Sequence, residues 1–426
     1  MASTRRPIAA RLAVGVLATL LSALACTACA SSGGGSGTSE QNPAQLLVPS
    51  EQAAVAKAEA AVAVRLPTKP GQPAPSLSAG AFPKPLGSHQ VVGFLPYWEV
   101  GAYTPDFADL TTLVYWSLTL QSGGSIAHSG QGWTTLGSNS LAFDLSQAHA
   151  AGDRVLLTVF SETPSVINSV SNHPTSAGRL LAEQLAPELS TGEFDGVDLD
   201  IEGDSTPDRP GFVRFVASFS KSLKALGTSW SIMLDTYPSS AFDAYGFFDV
   251  KALMRYVDEL FVMAYDMQYP GVASATAPLT NSSLNDAMTL AEYASVVPAR
   301  RIVLGIPLYG YDFPSTSRFD GAATRGTPVA VTYSEIVAAG RPPEWDPVTE
   351  TPFTVFKRNG KWHQTWFDDP VSIALKAALA SRFGCAGVGV WELGMAGNDA
   401  SVSAALLGGS PPVKLSLVNK RPIAPR

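Results

Sequence analysis

The stretch Phe194-Asp195-Gly196-Val197-Asp198-Leu199-Asp200-Ile201-Glu202 alternates apolar and acidic residues over its last six positions. A period of two is that of a β-strand, so Asp198, Asp200 and Glu202 share one face and Val197, Leu199 and Ile201 share the other. Like charges held a few ångströms apart resist ionising together, and at least one of the three acids must keep a proton. A carboxylic acid kept protonated near neutral pH is suited to general acid catalysis. A solvated strand end or a calcium site would also gather acids. Solvated faces usually mix in Lys, however, and calcium ligands usually come from loops of varied spacing with Asn or Gly partners. Asp195 has the opposite strand parity, which suggests a structural role.

Working outward, the chain from residue 88 alternates short apolar runs with amphipathic stretches. The runs are 91–97, 112–118, 154–160, 194–202, 230–237, 259–266, 302–309 and 386–393, and between them lie helical patterns such as 176–189, 211–226 and 286–296. Eight strand-helix units predict an α/β fold, a TIM (β/α)8 barrel whose active site forms at the C-terminal ends of the strands. The seventh and eighth runs are too far apart for one loop and one helix. Residues 353–357, Asn359-Gly360 and 362–367 read as a hairpin, so a small α+β insertion over about 311–370 is expected, followed by a helix over 372–382. The barrel domain is expected over 88–409, with a tail over 410–426.

The acidic stretch matches the DGxDxDxE signature of glycoside hydrolase family 18, the chitinase-like enzymes, and the chain resembles that family at other strand ends too. Met263-Ala264-Tyr265-Asp266 is similar to the family's MxYD segment, Val390-Trp391-Glu392 to the end of its eighth strand, and Pro96-Tyr97-Trp98 to the end of its first. The resemblance implies that Glu202 is the acid and later the base, that Asp200 contacts the acetamido nitrogen of the substrate, and that Asp198 supports Asp200. Tyr265 would bond the acetamido oxygen as it attacks, and Asp266 would bind sugar hydroxyls. Trp391 would form the floor under the sugar, and Tyr97 would line the far side of the cleft. Met263, which alternation puts on the face of Tyr265, and Glu392 complete the expected substrate-binding set. Trp116, Tyr237, Tyr309 and Tyr311 are weaker candidates. The segment from Trp366 to Ser372 looks like the edge seen in the spore germination and cortex-lytic branch of the family.

Residues 1–30 read as a signal peptide: Arg5, Arg6 and Arg11 precede an apolar run too short for an ordinary membrane anchor. Ala23-Leu24-Ala25-Cys26 resembles a lipoprotein processing site, which makes Cys26 the expected lipidation point. Thr27-Ala28-Cys29 resembles such a site more loosely, and Ala28-Cys29-Ala30 would suit ordinary signal cleavage. Residues 31–87, rich in Gly and Ser and then in Pro, read as a spacer that holds the next domain off a surface. The expected location is therefore outside the cytoplasm, with membrane contact only through an N-terminal lipid anchor. Cys385 stands apart from Cys26 and Cys29 and reads as an inert core thiol.

The formal net charge is −7, and an acidic chain argues against nucleic acid or an anionic membrane as partner. The five histidines, at 89, 128, 149, 173 and 363, show no HExxH or paired spacing, and neither a GxSxG nor a phosphate-binding glycine loop is present, so no metal or cofactor is implied. A monomer acting on a glycan is expected, with chitin and peptidoglycan both open as the polymer. A sugar-binding barrel without catalysis is the alternative. A conventional nucleophile, Asp266 or Glu392, is a third reading.

Overall fold

The computed structural model describes residues 89–226 and 230–407. The proposed signal peptide, the lipidation point at Cys26, the spacer and the C-terminal tail lie outside the described residues. Eight parallel strands close into a barrel: β1 (Gln90–Pro96), β2 (Thr112–Thr119), β3 (Arg154–Ser161), β4 (Gly196–Ile201), β5 (Ser231–Thr236), β6 (Glu259–Val262), β7 (Ile302–Pro307) and, completing the ring beside β1, a strand at Gly387–Trp391. The (β/α)8 barrel expected from the alternation of runs is the observed fold.

Strand alternation sorts the core into two layers. Val92, Phe94, Val114, Leu156, Met233 and Phe261 fill the barrel interior, whereas Val91, Leu95, Leu157, Val197, Leu234 and Leu304 face the helices outside. Phe261 takes the space that two glycines leave, since a Cβ on Gly305 or Gly389 would lie 2.8 Å or 2.7 Å from its ring. Each fully buried Phe or Leu contributes about 1.5–3 kcal/mol. The N-terminal end of the barrel is closed by polar groups: Arg154 meets Glu259 at 2.6 Å, and Gln90 donates to the other oxygen of Glu259 at 2.6 Å.

The seventh predicted run proves to be two strands. Pro307 ends β7, and the Leu308 N–H bonds to Trp391 O (2.8 Å), after which the chain leaves the barrel as β8 (Tyr309–Ser315). The intervening segment builds a second, antiparallel sheet from β8, β9 (Val329–Thr332), β10 (Glu344–Asp346), β11 (Thr351–Arg358) and β12 (Lys361–Trp366), with a helix at Tyr333–Ala338. The strand at Gly387–Trp391 is accordingly β13. Asn359 and Gly360 both take positive φ (52° and 75°), the turn that matches the twist of a two-residue hairpin. Asp369 then caps the helix at Pro370–Phe383 by accepting from Val371 N and Ser372 N, with Pro370 in its first turn.

Candidate active site

β4 positions the acids. Asp198 (0% exposed) and Asp200 (4%) point into the barrel, while Val197, Leu199 and Ile201 pack outward. Glu202 stands one residue past the strand, partly exposed, its N–H bonded to Ser161 O at 2.9 Å. Thr158 on β3 donates to Asp198 Oδ2 at 2.8 Å, and Trp116 on β2 donates from Nε1 to Asp200 Oδ2 at 2.8 Å. Burial is the main cause of the electrostatics here. It holds Asp198 well above the usual carboxylate range, with the charge of Asp200 adding to the effect, and pushes Asp200 up to about 7. Glu202 is raised well above its usual value by burial first, then by the charges of Asp200, Glu162 and Asp266. At neutral pH the column therefore retains protons, and Glu202 at its outer end keeps an acid form able to donate.

Tyr265 follows β6, whose strand ends at Val262 rather than running to Asp266, because the chain turns there through short Val262–Ala264 and Met263–Tyr265 backbone bonds. Burial raises the Tyr265 hydroxyl well above its usual range, with the nearby acids reinforcing this, so it is a neutral donor. Asp266 has a left-handed backbone (φ 58°), and its Oδ1 accepts from the hydroxyls of Tyr309 and Tyr311, both at 2.9 Å. Met263 is buried in the interior cluster beside Tyr265.

Aromatic rings line the other side. Trp391, at the end of β13, lies 5.1 Å from Trp116 and 5.7 Å from Phe94, and Tyr97 stacks on Trp116 at 6.2 Å. Flat, partly exposed rings at a barrel mouth suit the apolar face of a pyranose. Glu392, expected among the substrate-binding residues, departs from that set. It is 2% exposed, caps the turn at Leu393–Ala396 by accepting from Gly394 N (3.0 Å), and is pushed up to about 8 by burial and by Glu99 rather than by the acids of β4. Its Oε2 is thus committed to a buried cap. Asp195 bonds His149 and Val155 N, in keeping with its parity.

Trp116, the Tyr309–Tyr311 pair, Glu162 and Asp235 are contributors underrated or missed in the sequence. Trp116 and the Tyr309–Tyr311 pair hold acids rather than serving as ordinary core rings. Glu162, beyond β3, bears on both Asp200 and Glu202. Asp235 on β5 is a further interior acid. Its signal was legible, since it shares strand parity with Met233 and Tyr237 in a run that is otherwise mostly apolar.

Residues 90–396 match the model of glycosyl hydrolases family 18. Among curated proteins, the di-N-acetylchitobiase of Rattus norvegicus is 26% identical over 268 residues, covering 58% of this chain and 71% of that protein. The cortical fragment-lytic enzyme of Bacillus anthracis is 26% identical over 222 residues, 49% of each chain. A Bacillus subtilis relative is matched over 56% of each chain, so this chain spans about half the length of these bacterial relatives. The family 18 chitinase of Cycas revoluta bound to (GlcNAc)3 superposes with a TM-score of 0.66 at 20% identity, over 75% of this chain and 98% of that one. At that identity the superposition speaks for the barrel alone, whereas the family match spans every strand that supplies the acids and the tyrosine. The chain belongs to glycosyl hydrolase family 18.

Proposed function

We propose that the protein is a retaining glycoside hydrolase that cuts β-1,4 linkages of glycans containing N-acetylglucosamine. The observation that carries this is the placement of Glu202, an acid raised by burial, one residue beyond a strand whose next two inward groups are Asp200 and Asp198. A glycosidase needs an acid for the leaving oxygen and a means of stabilising positive charge at the anomeric carbon. Glu202 supplies the proton. Asp200, oriented by Trp116, receives the acetamido N–H and so aims its carbonyl oxygen at the anomeric carbon, while Tyr265 bonds that oxygen. The bond to the leaving oxygen breaks as the proton arrives, a cyclised acetamido intermediate forms, and Glu202, now a carboxylate, draws a proton from the water that opens it. Trp391 carries the sugar face. Asp266 keeps one oxygen free of the tyrosines for a sugar hydroxyl.

The family relatives named for chitobiose and for cortical fragments support a substrate class rather than one polymer. The proposed lipid anchor and Pro-rich spacer favour action beside the cell's own envelope, hence peptidoglycan or its fragments, by a secreted or lipid-tethered protein. A thiazoline analogue of the cyclised intermediate is expected to inhibit competitively, and indifference to it would sink the acetamido-assisted step. Product analysis after incubation with purified sacculi and with chitin assigns the polymer, with soluble muropeptide release expected.

A further inference from the structure

Asp235 lies on β5, between β4 and β6, 2% exposed and facing the barrel interior. One of its oxygens, Oδ1, finds no hydrogen-bond partner, and the same holds for Oδ1 of Asp198. The two carboxyls are nevertheless near enough to bond each other through a proton. Buried acceptors without a donor are costly, and two facing carboxyls become mutually satisfied only when one of them is the acid form. The surroundings decide which. Burial and the charge of Asp200 raise Asp198 as well, but it also accepts from Thr158 and feels the charge of Arg154, both of which favour its carboxylate. Asp235 has neither aid: burial and the charges of Asp198, Asp200 and Glu202 all favour its acid form. On the other side, Tyr265 feels Asp235 more strongly than any other charge.

We propose that Asp235 is a positioning residue, a neutral acid whose proton bonds Asp198 and fixes that group as the stationary negative charge beneath Asp200 and Glu202. The exchangeable proton is thereby confined to the outer part of the column, where the leaving group is. This rests on the hydrolase reading for its consequence, though not for the shared proton itself. Asp235→Asn keeps a donor of the same shape and cannot ionise, whereas Asp235→Ala removes the donor.

The test combines activity and unfolding. On a chromogenic di-N-acetylchitobioside, Asp235→Asn should keep kcat/KM within about threefold, while Asp235→Ala should lose about tenfold or more in kcat with little change in KM. The alkaline limb of the Asp235→Ala profile should move to lower pH, because Asp198 then keeps its own proton and no longer holds protons on its neighbours. An Asp235→Ala profile like wild type, or equal damage in both variants, would overturn the proposal. A wild type inert on the substrate would count against the hydrolase reading, and thermal unfolding against pH then judges the shared proton alone. Asp235 is raised in the folded state, so its contribution is present below its unfolded value and is lost as pH rises through the folded one. Asp235→Asn should therefore gain in Tm on wild type as pH rises above about 4, the ordinary carboxylate value. Parallel Tm curves would contradict the shared proton, and this comparison stands even if Asp235→Ala does not fold.

Discussion

Glu202 stays an acid because of where its neighbours stand, and this makes its proton adjustable from outside the strand. Glu162 lies beyond the end of β3 and raises both Asp200 and Glu202 through its charge. Removing that charge as Glu162→Gln lowers both values. The acid form of Glu202 is then lost earlier on raising the pH, so the alkaline limb of kcat/KM should move down by about one unit. A limb at the wild-type position would show that Glu162 is screened. At this scale the acidic column was legible because period two forces Asp198, Asp200 and Glu202 onto one face. The parity of Asp235 was legible too, but its pairing with Asp198 and that of Trp116 with Asp200 were not, because no local pattern encodes a contact between β4 and β5 or β2.

Secondary elements carry the site through close approach. The helix at Pro174–Ser190 packs on that at Arg209–Ala225, with Gly178 facing the neighbour's backbone. A Cβ there would lie 2.5 Å from Phe215 O and 2.6 Å from Phe219 N. Gly178→Ala is therefore expected to destabilise the protein by about 1–3 kcal/mol despite the better helix propensity of Ala, measurable by urea unfolding. A stabilised variant would mean that the two helices slide apart freely. The strands and helices themselves were readable from apolar periodicity, as at 286–296, where run and helix coincide. Their ends were less so. The run 302–309 is continuous in hydrophobicity, yet the chain changes sheets at Leu308, a choice made by the Trp391 carbonyl that is far away in sequence.

Across the whole molecule, the insertion must be fastened to the barrel for Tyr309 and Tyr311 to reach Asp266. Lys376 helps fasten that side from a fully buried position. Its ammonium lies 2.9 Å from Asp286, 3.2 Å from Asp368 and 2.5 Å from Ala277 O, which joins the helix at Pro370–Phe383 to the helix at Asp286–Val296 and to the segment after β6. Lys376→Met strands two buried carboxyls and should lower stability by about 3–5 kcal/mol, read from the unfolding midpoint. No change in midpoint would mean that the acids simply take up protons at little cost. The Asn-Gly hairpin made the insertion visible in sequence, but its docking was not, since a lone Lys in a helix gives no sign that two distant acids await it. The central claim, that this barrel hydrolyses N-acetylglucosaminides with Glu202 as its acid, is tested most directly by dye release from a chromogenic di-N-acetylchitobioside. Wild type should release dye, and Glu202→Gln, folded as judged by an unchanged melting curve, should be slower by about 10²–10⁴-fold. Equal rates for the two, or no release by wild type, would contradict it.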